Sequence, residues 1–206
     1  MKTRLVIVGA VAALVLALGA GVGFGEDQPA EPEPMSEQEM WAKMAELATP
    51  AEMHTDVLAR MVGSWTAKGK IFTAMGEMPI TGKSENTWIL GDRFVQVDYE
   101  GPFMGGMFHG MGYIGFDNLS QKFEQTWIMT MATSMDIMTG TWDAETKTLT
   151  WLGKAAMPNG VVYAKRTTAE FVSENEFVSK SYASGPDGKE QQEMELTYTR
   201  VEEAAE

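Results

Sequence analysis

The sequence predicts an all-β protein, an antiparallel barrel of about ten strands preceded by short helices. From Gly63 onward, apolar residues recur with a period of two in short β-branched and aromatic runs. Turn-forming residues separate those runs at close spacing, which implies successive hairpins and antiparallel pairing. A sheet of that many strands closes more readily than it stays flat, because twist accumulates and open edges invite aggregation. A barrel follows, with a β-sandwich as the alternative architecture.

The N-terminal elements precede that pattern. Met1 to Gly25 begins with Lys2 and Arg4, continues through an apolar run from Leu5 to Leu18 and ends in small residues. That is the order of a secretory signal, with the mature chain starting between Ala20 and Glu26. An uncleaved membrane anchor is the alternative, and either one places the domain outside the cytoplasm, in the periplasm or the extracellular space. Residues 26–35 are rich in Pro and acid and read as an extended tether. Residues 36–62 carry two capping boxes, Ser36 to Glu39 and Thr49 to Glu52. The first opens a helix with Met40, Trp41, Met44 and Leu47 on one face, and the second opens a shorter one with Met53, Val57, Leu58 and Met61. Both apolar stripes are expected to pack on the barrel.

Residues 63–202 form the barrel. Strands are expected over 65–74, 80–90, 93–100, 107–116, 122–129, 137–142, 148–153, 161–171, 176–183 and 192–201. Between them stand Gly91-Asp92, Asp117-Asn118, Asp143 to Thr146, Pro158-Asn159-Gly160 and Gly185 to Gly188, residues that tolerate turn dihedrals or bond their own backbone.

Composition removes several functions. The chain has 206 residues, 44% of them hydrophobic and 22% charged, as expected of one packed domain with a sizeable core. A net charge of -13 opposes binding to a phosphate backbone, so no nucleic-acid partner is expected. Cysteine is absent, which removes disulfides, thiol nucleophiles and thiolate metal sites. The two histidines, His54 and His109, stand on different elements, so no zinc site is expected. The Met104 to Met111 run, with His109, has the donor types of a Cu(I) site. Because 17 methionines are spread through the chain, it reads instead as general use of Met as an adaptable filler. Gly110-x-Gly112-x-x-Gly115 matches a dinucleotide fingerprint literally but lies inside a strand. Its glycines are expected to admit a bend or a bulky neighbour. No Gly-x-Ser-x-Gly elbow and no catalytic constellation is visible, and neither metal nor cofactor is expected.

Gly63-Ser64-Trp65, after a short helix and opening the first strand, resembles the Gly-x-Trp opening of lipocalin and calycin-like barrels. The stretch from Phe108 to Asn118, then Trp127-Ile128, Gly140 to Asp143 and Lys147 to Thr150, is similar in order and spacing to the bacterial domain-of-unknown-function family 1579. His54, Leu58 and the Leu90 to Phe94 turn fit the same pattern. Met129 stands where that pattern has Asp, and Asp92 where it has a second Gly. The resemblance covers roughly residues 50–200 and implies a calycin-like barrel with no established activity. It also implies that Trp65 is covered by an Arg from a late element, here Arg200. The competing reading is that Arg200 projects to solvent from an edge strand.

A ten-stranded barrel has room for one small ligand. The expected function is therefore binding of a small, mainly apolar molecule, with Trp88, Tyr99, His109, Tyr113, Trp127 and Met129 as candidate ligand-binding residues. Tyr113 and His109 would supply the orienting polar groups. The alternatives are an enzyme using the barrel as its pocket, marked by inward-facing ionisable groups with shifted pKa values, and an envelope interaction protein with a filled barrel.

Overall fold

The period-two segment folds into ten strands that close on themselves. The computed structural model of the chain describes residues 34–156, 160–185 and 188–202. The proposed signal, most of the tether, and parts of the Pro158 and Pro186 turns lie outside the described residues. The strands are β1 (Gly63–Thr73), β2 (Gly76–Ile89), β3 (Phe94–Phe103), β4 (Gly106–Asp117) and β5 (Lys122–Met129). They continue as β6 (Asp136–Asp143), β7 (Thr148–Ala156), β8 (Val162–Ser173), β9 (Glu176–Ser184) and β10 (Glu190–Arg200). Each pairs antiparallel with its sequence neighbours, and β1 pairs with β10, giving a closed up-and-down barrel rather than a sandwich.

Turn chemistry sets the register. Leu90, Gly91 and Asp92 all have positive φ between β2 and β3, as do Met104 and Gly105 between β3 and β4. The latter pair is the two-residue hairpin turn with positive φ at both centres, whose twist matches that of the flanking strands. The Met-Gly-Gly-Met run is thus mainly a hairpin. Asp117 and Asp143 each accept from backbone amides two and three residues on; the Ser120 hydroxyl and then these amides hold the Asp117 carboxyl below the usual carboxylate range, and the amides of Thr146 and Glu145 do the same for Asp143.

Before the barrel come α1 (Glu37–Leu47), a π-helical turn (Met53–Leu58) and α2 (Ala59–Met61). In the second of these helical segments Val57, Leu58 and Met61 are buried against one end of the barrel. Its expected cap does not form. Thr49 Oγ1 donates back to Ala45 O, and the Ala51 amide donates instead to Nδ1 of buried His54. Burial also lowers the His54 pKa, which opposes protonation of the ring.

The first stripe is a correction. No residue of α1 is buried, and Trp41 is 58% exposed. The barrel end is already plugged by Val57, Leu58 and Met61, so the α1 stripe has nothing left to cover. What fixes the helix is its C-terminal end, where Asn118 Nδ2 donates to Leu47 O and Thr49 O, and Arg93 Nε to Ala48 O.

Arg200 lies opposite Trp65 in the β1–β10 ladder, with its guanidinium 4.2 Å from the indole centroid. Its nitrogens donate to Val62 O, Arg60 O and Glu174 O at 2.6, 3.1 and 3.1 Å. The Trp65 Nε1–H in turn donates to Met61 O at 2.9 Å. Gly63 makes room for this: its φ is +125°, and a Cβ there would collide with the Arg200 guanidinium.

Two predictions follow from this end of the barrel. Leu58→Ala should cost about 2–5 kcal/mol in chemical denaturation, and Trp41→Ala no more than about 0.5 kcal/mol. Arg200→Lys, which keeps the charge but loses the planar donor fork, should lower the unfolding free energy by about 2 kcal/mol. Equal midpoints for wild type and Arg200→Lys would contradict the structural role given to the fork.

Candidate functional site

Strand alternation sorts the side chains into an inner and an outer face, and size sorts the inner face along the barrel axis. Near the helices the interior is filled by Trp65, Phe123, Leu149, Trp151, Phe171 and Phe177. Their rings meet edge to face, as in Trp65–Phe177 at 4.8 Å and Phe123–Trp151 at 6.1 Å. Towards the other end, where Tyr99, Phe103 and Phe108 meet edge to face along the wall, a cavity opens in two adjoining parts.

The deeper part, about 180 Å³, is floored by Met61, Trp151 and Phe177, and its mainly apolar walls carry several polar side chains. Ser84 Oγ donates to Asn86 Oδ1, whose Nδ2 donates to Met61 O. Thr167 and Ser181 share a hydrogen bond at 3.2 Å, and Gln125 also lines this part. The outer part, about 400 Å³, is apolar, with Ile71, Ile80, Phe103, Phe108, Met129 and Met131 among its walls. Tyr99, Trp127, Lys165, Met194 and Tyr198 line both parts and mark their junction.

Glycines create this space. The Trp127 indole lies across Gly110 and Gly112, where a Cβ would overlap the ring, and Tyr99 lies in the same way over Gly82. Gly115, whose missing Cβ admits Phe94, completes the literal fingerprint. The motif therefore houses bulky neighbours, as its place inside a strand implies.

The junction is charged. Lys165 Nζ and Asp136 Oδ2 are 3.0 Å apart, with side chains 22% and 15% exposed. They stand on β8 and β6, and the β7 residue opposite Lys165 is Gly153, over which the Met138 side chain lies. Glu193 is the extra residue of a β-bulge in β10, between Gln192 opposite Tyr182 and Met194 opposite Ser181. Burial pushes its carboxyl above the usual carboxylate range, with Lys165 opposing less strongly. Tyr163 is raised by burial and then by Glu193, which places the phenol in the same group.

Of the six candidate residues, Tyr99, Trp127 and Met129 line the cavity. Trp88 faces inward but packs against the filled core, away from the cavity. His109 and Tyr113 are corrections. Phe108, Gly110, Gly112 and Ile114 take the inner face of β4, so the intervening His109 and Tyr113 point outward. The His109 side chain is 57% exposed, with Nδ1 3.9 Å from Glu100 Oε2.

The polar groups at the cavity are instead Lys165, Asp136 and the Tyr99 and Tyr198 phenols, with Glu193 near Lys165. Two of them carried a signal. Lys165 shares the parity of Ala169 and Phe171, and Asp136 that of Met138 and Gly140, so each is a charge on an apolar alternation. Glu193 carried none, because a bulge breaks the alternation that would locate it.

The family model described as "Protein of unknown function (DUF1579)" matches residues 49–200. No curated protein matches the chain. Among solved structures, Rv2717c from M. tuberculosis is similar over 75% of this chain and 100% of its own, at 10% identity and a TM-score of 0.55. The S-type phycobiliprotein lyase CPES from Guillardia theta is similar over 73% of this chain and 93% of its own, at 12% identity and a TM-score of 0.51. At these identities the likeness is one of fold, the calycin-like barrel.

Burial raises the pKa values of Tyr99, Tyr163 and Tyr198. The unfolded chain gives up these phenol protons near pH 10, whereas the fold retains them, so stability should fall as pH rises through about 10. Melting temperatures from pH 8 to 11 should show this fall, and Tyr198→Phe, which keeps the ring stacked on Phe177, should make it shallower. An equal slope in the variant would count against the buried phenol.

Proposed function

The chain belongs to the DUF1579 family of proteins of unknown function, and from that premise we propose that it is an exported binding module that takes one small, mainly apolar molecule into its barrel. The observation that supports this most is the two-part cavity, an apolar mouth of about 400 Å³ that shares Tyr99, Trp127, Lys165, Met194 and Tyr198 with a smaller chamber carrying several polar side chains. Such a shape removes an apolar body from water while a few fixed polar groups hold one end of it. A barrel filled along its whole length, as an envelope interaction protein would have, offers no such space.

Export rests on the charged start, apolar run and small-residue exit of residues 1–25. Among the described residues no helix is long and apolar enough to cross a membrane.

An enzyme is the second reading, favoured by the inward-facing Asp136 and Lys165 and by the nearby Glu193, whose pKa burial raises. One barrel of similar fold is itself a phycobiliprotein lyase. Binding is the stronger reading because Lys165 and Asp136 already neutralise each other in the ion pair.

The test uses N-phenyl-1-naphthylamine, a neutral fluorophore that brightens in apolar surroundings. It should bind the wild-type barrel. Phe108→Glu, which places a carboxylate in the apolar mouth, should weaken it about tenfold or more without lowering the melting temperature by more than a few degrees. Absence of binding by wild type, or equal binding by the variant, would overturn the proposal.

A further inference from the structure

Among the described residues, the charged side chains that line the cavity are Lys165 and Asp136, and their charges cancel. Lys165 Nζ lies 3.0 Å from Asp136 Oδ2, and both side chains are largely withdrawn from water. Glu193, near Lys165, lines neither part of the cavity, and burial opposes its ionisation. A balanced pair constrains what can lie against it. An incoming ammonium meets Lys165 as well as Asp136, and an incoming carboxylate meets Asp136 as well as Lys165. Either ion would give up its water without gaining an unopposed counter-charge.

The pair is balanced in charge, yet its hydrogen bonding is incomplete. Lys165 directs one N–H at Asp136 Oδ2, which leaves the ammonium with further donors and the carboxylate with its other oxygen. Several polar neighbours in the deeper part are already engaged: Ser84 with Asn86, Asn86 with Met61 O, and Thr167 with Ser181. Lys165 and Asp136 therefore keep the capacity to hold a ligand's head, one by donating and the other by accepting. The Tyr99 and Tyr198 phenols at the same level can donate or accept, and burial keeps them uncharged at neutral pH. Lys165 lines the apolar mouth as well as the deeper part, so a head bonded to it leaves the body of the molecule among Phe108, Met129 and their apolar neighbours.

Resting on the binding reading above, we propose that the molecule held in the barrel is a neutral amphiphile whose head both accepts and donates hydrogen bonds, a primary amide or an alcohol. Its oxygen accepts from Lys165 Nζ, its N–H or O–H donates to Asp136, and its apolar body extends into the mouth. Organic cations and anions of the same length are each rejected by one member of the pair.

Octanamide, octanoate and n-octylammonium, matched in chain length, separate these heads when each is titrated calorimetrically into the full-length protein at pH 7. Octanamide should bind about tenfold more tightly than either ion, an order that requires no variant to fold. A neutral head is easier to desolvate in any apolar cavity, so the variants show whether the pair sets the order. Asp136→Asn leaves Lys165 unopposed and should raise octanoate about tenfold, with octylammonium weakest. Lys165→Gln leaves Asp136 unopposed and should favour octylammonium in the same way. With both substitutions no charge remains, and octanamide should again bind best. Either ion binding the wild type as tightly as octanamide, or an order that neither single variant changes, would overturn the neutral-head assignment and leave the binding reading standing. Binding of none of the probes would overturn the assignment, and failure of N-phenyl-1-naphthylamine as well would overturn the binding reading.

Discussion

The barrel depends on one residue near its C-terminus. Arg200 stacks on Trp65 across the β1–β10 ladder and donates to carbonyls of the α2 end and of the β8–β9 turn. Those carbonyls belong to segments brought together only when the last strand meets the first. The Val62 and Arg60 carbonyls are part-buried, and leaving either unpaired would cost up to about 1–3 kcal/mol, so the guanidinium ties closure of the sheet to docking of the helical plug. A lysine has the charge but lacks the geometry to reach three acceptors while lying flat on an indole. Gly63 is the complementary concession, giving up a side chain so that the guanidinium can occupy its place.

From that closed end the interior changes character along its axis, and the change comes from the pairing of large residues with glycines. Near the plug, Trp65, Trp151, Phe123 and Phe177 meet one another and leave no space. Further along, Trp127 and Tyr99 lie back against the wall, over Gly110, Gly112 and Gly82, instead of crossing the interior. The same kinds of residue therefore fill one half of the barrel and hollow the other. Tyr198 joins the halves: its ring stacks on Phe177 at 4.4 Å, and it lines both parts of the cavity. The ion pair and the bulge at Glu193 stand where the filled half gives way to the hollow one.

Outside the barrel, α1 shows the limit of reading amphipathicity as burial. Its Met40, Trp41 and Met44 stripe has the helical spacing of a core-facing surface yet remains exposed. The helix is held by hydrogen bonds to its last carbonyls from Asn118 and Arg93 and needs no apolar contact to stay in place.

By itself the sequence determined the fold class, the positions of all ten strands, the second helical plug and the pairing of Trp65 with Arg200. Those depend on local periodicity, on turn residues, and on a family pattern that spans the chain. It also determined that Gly110-x-Gly112-x-x-Gly115 serves packing, since a strand offers no helix N-terminus for a phosphate. Only the tertiary structure decided which face of each strand turns inward. His109 and Tyr113 went outward because a period of two divides a strand into faces without saying which face is the core, and a one-residue step exchanges them. Only the fold brought Asp136, Lys165 and Glu193 together. They lie on three strands separated by up to 57 residues of chain, and the bulge that re-aims Glu193 is created by the pairing of β9 with β10, which no local pattern encodes.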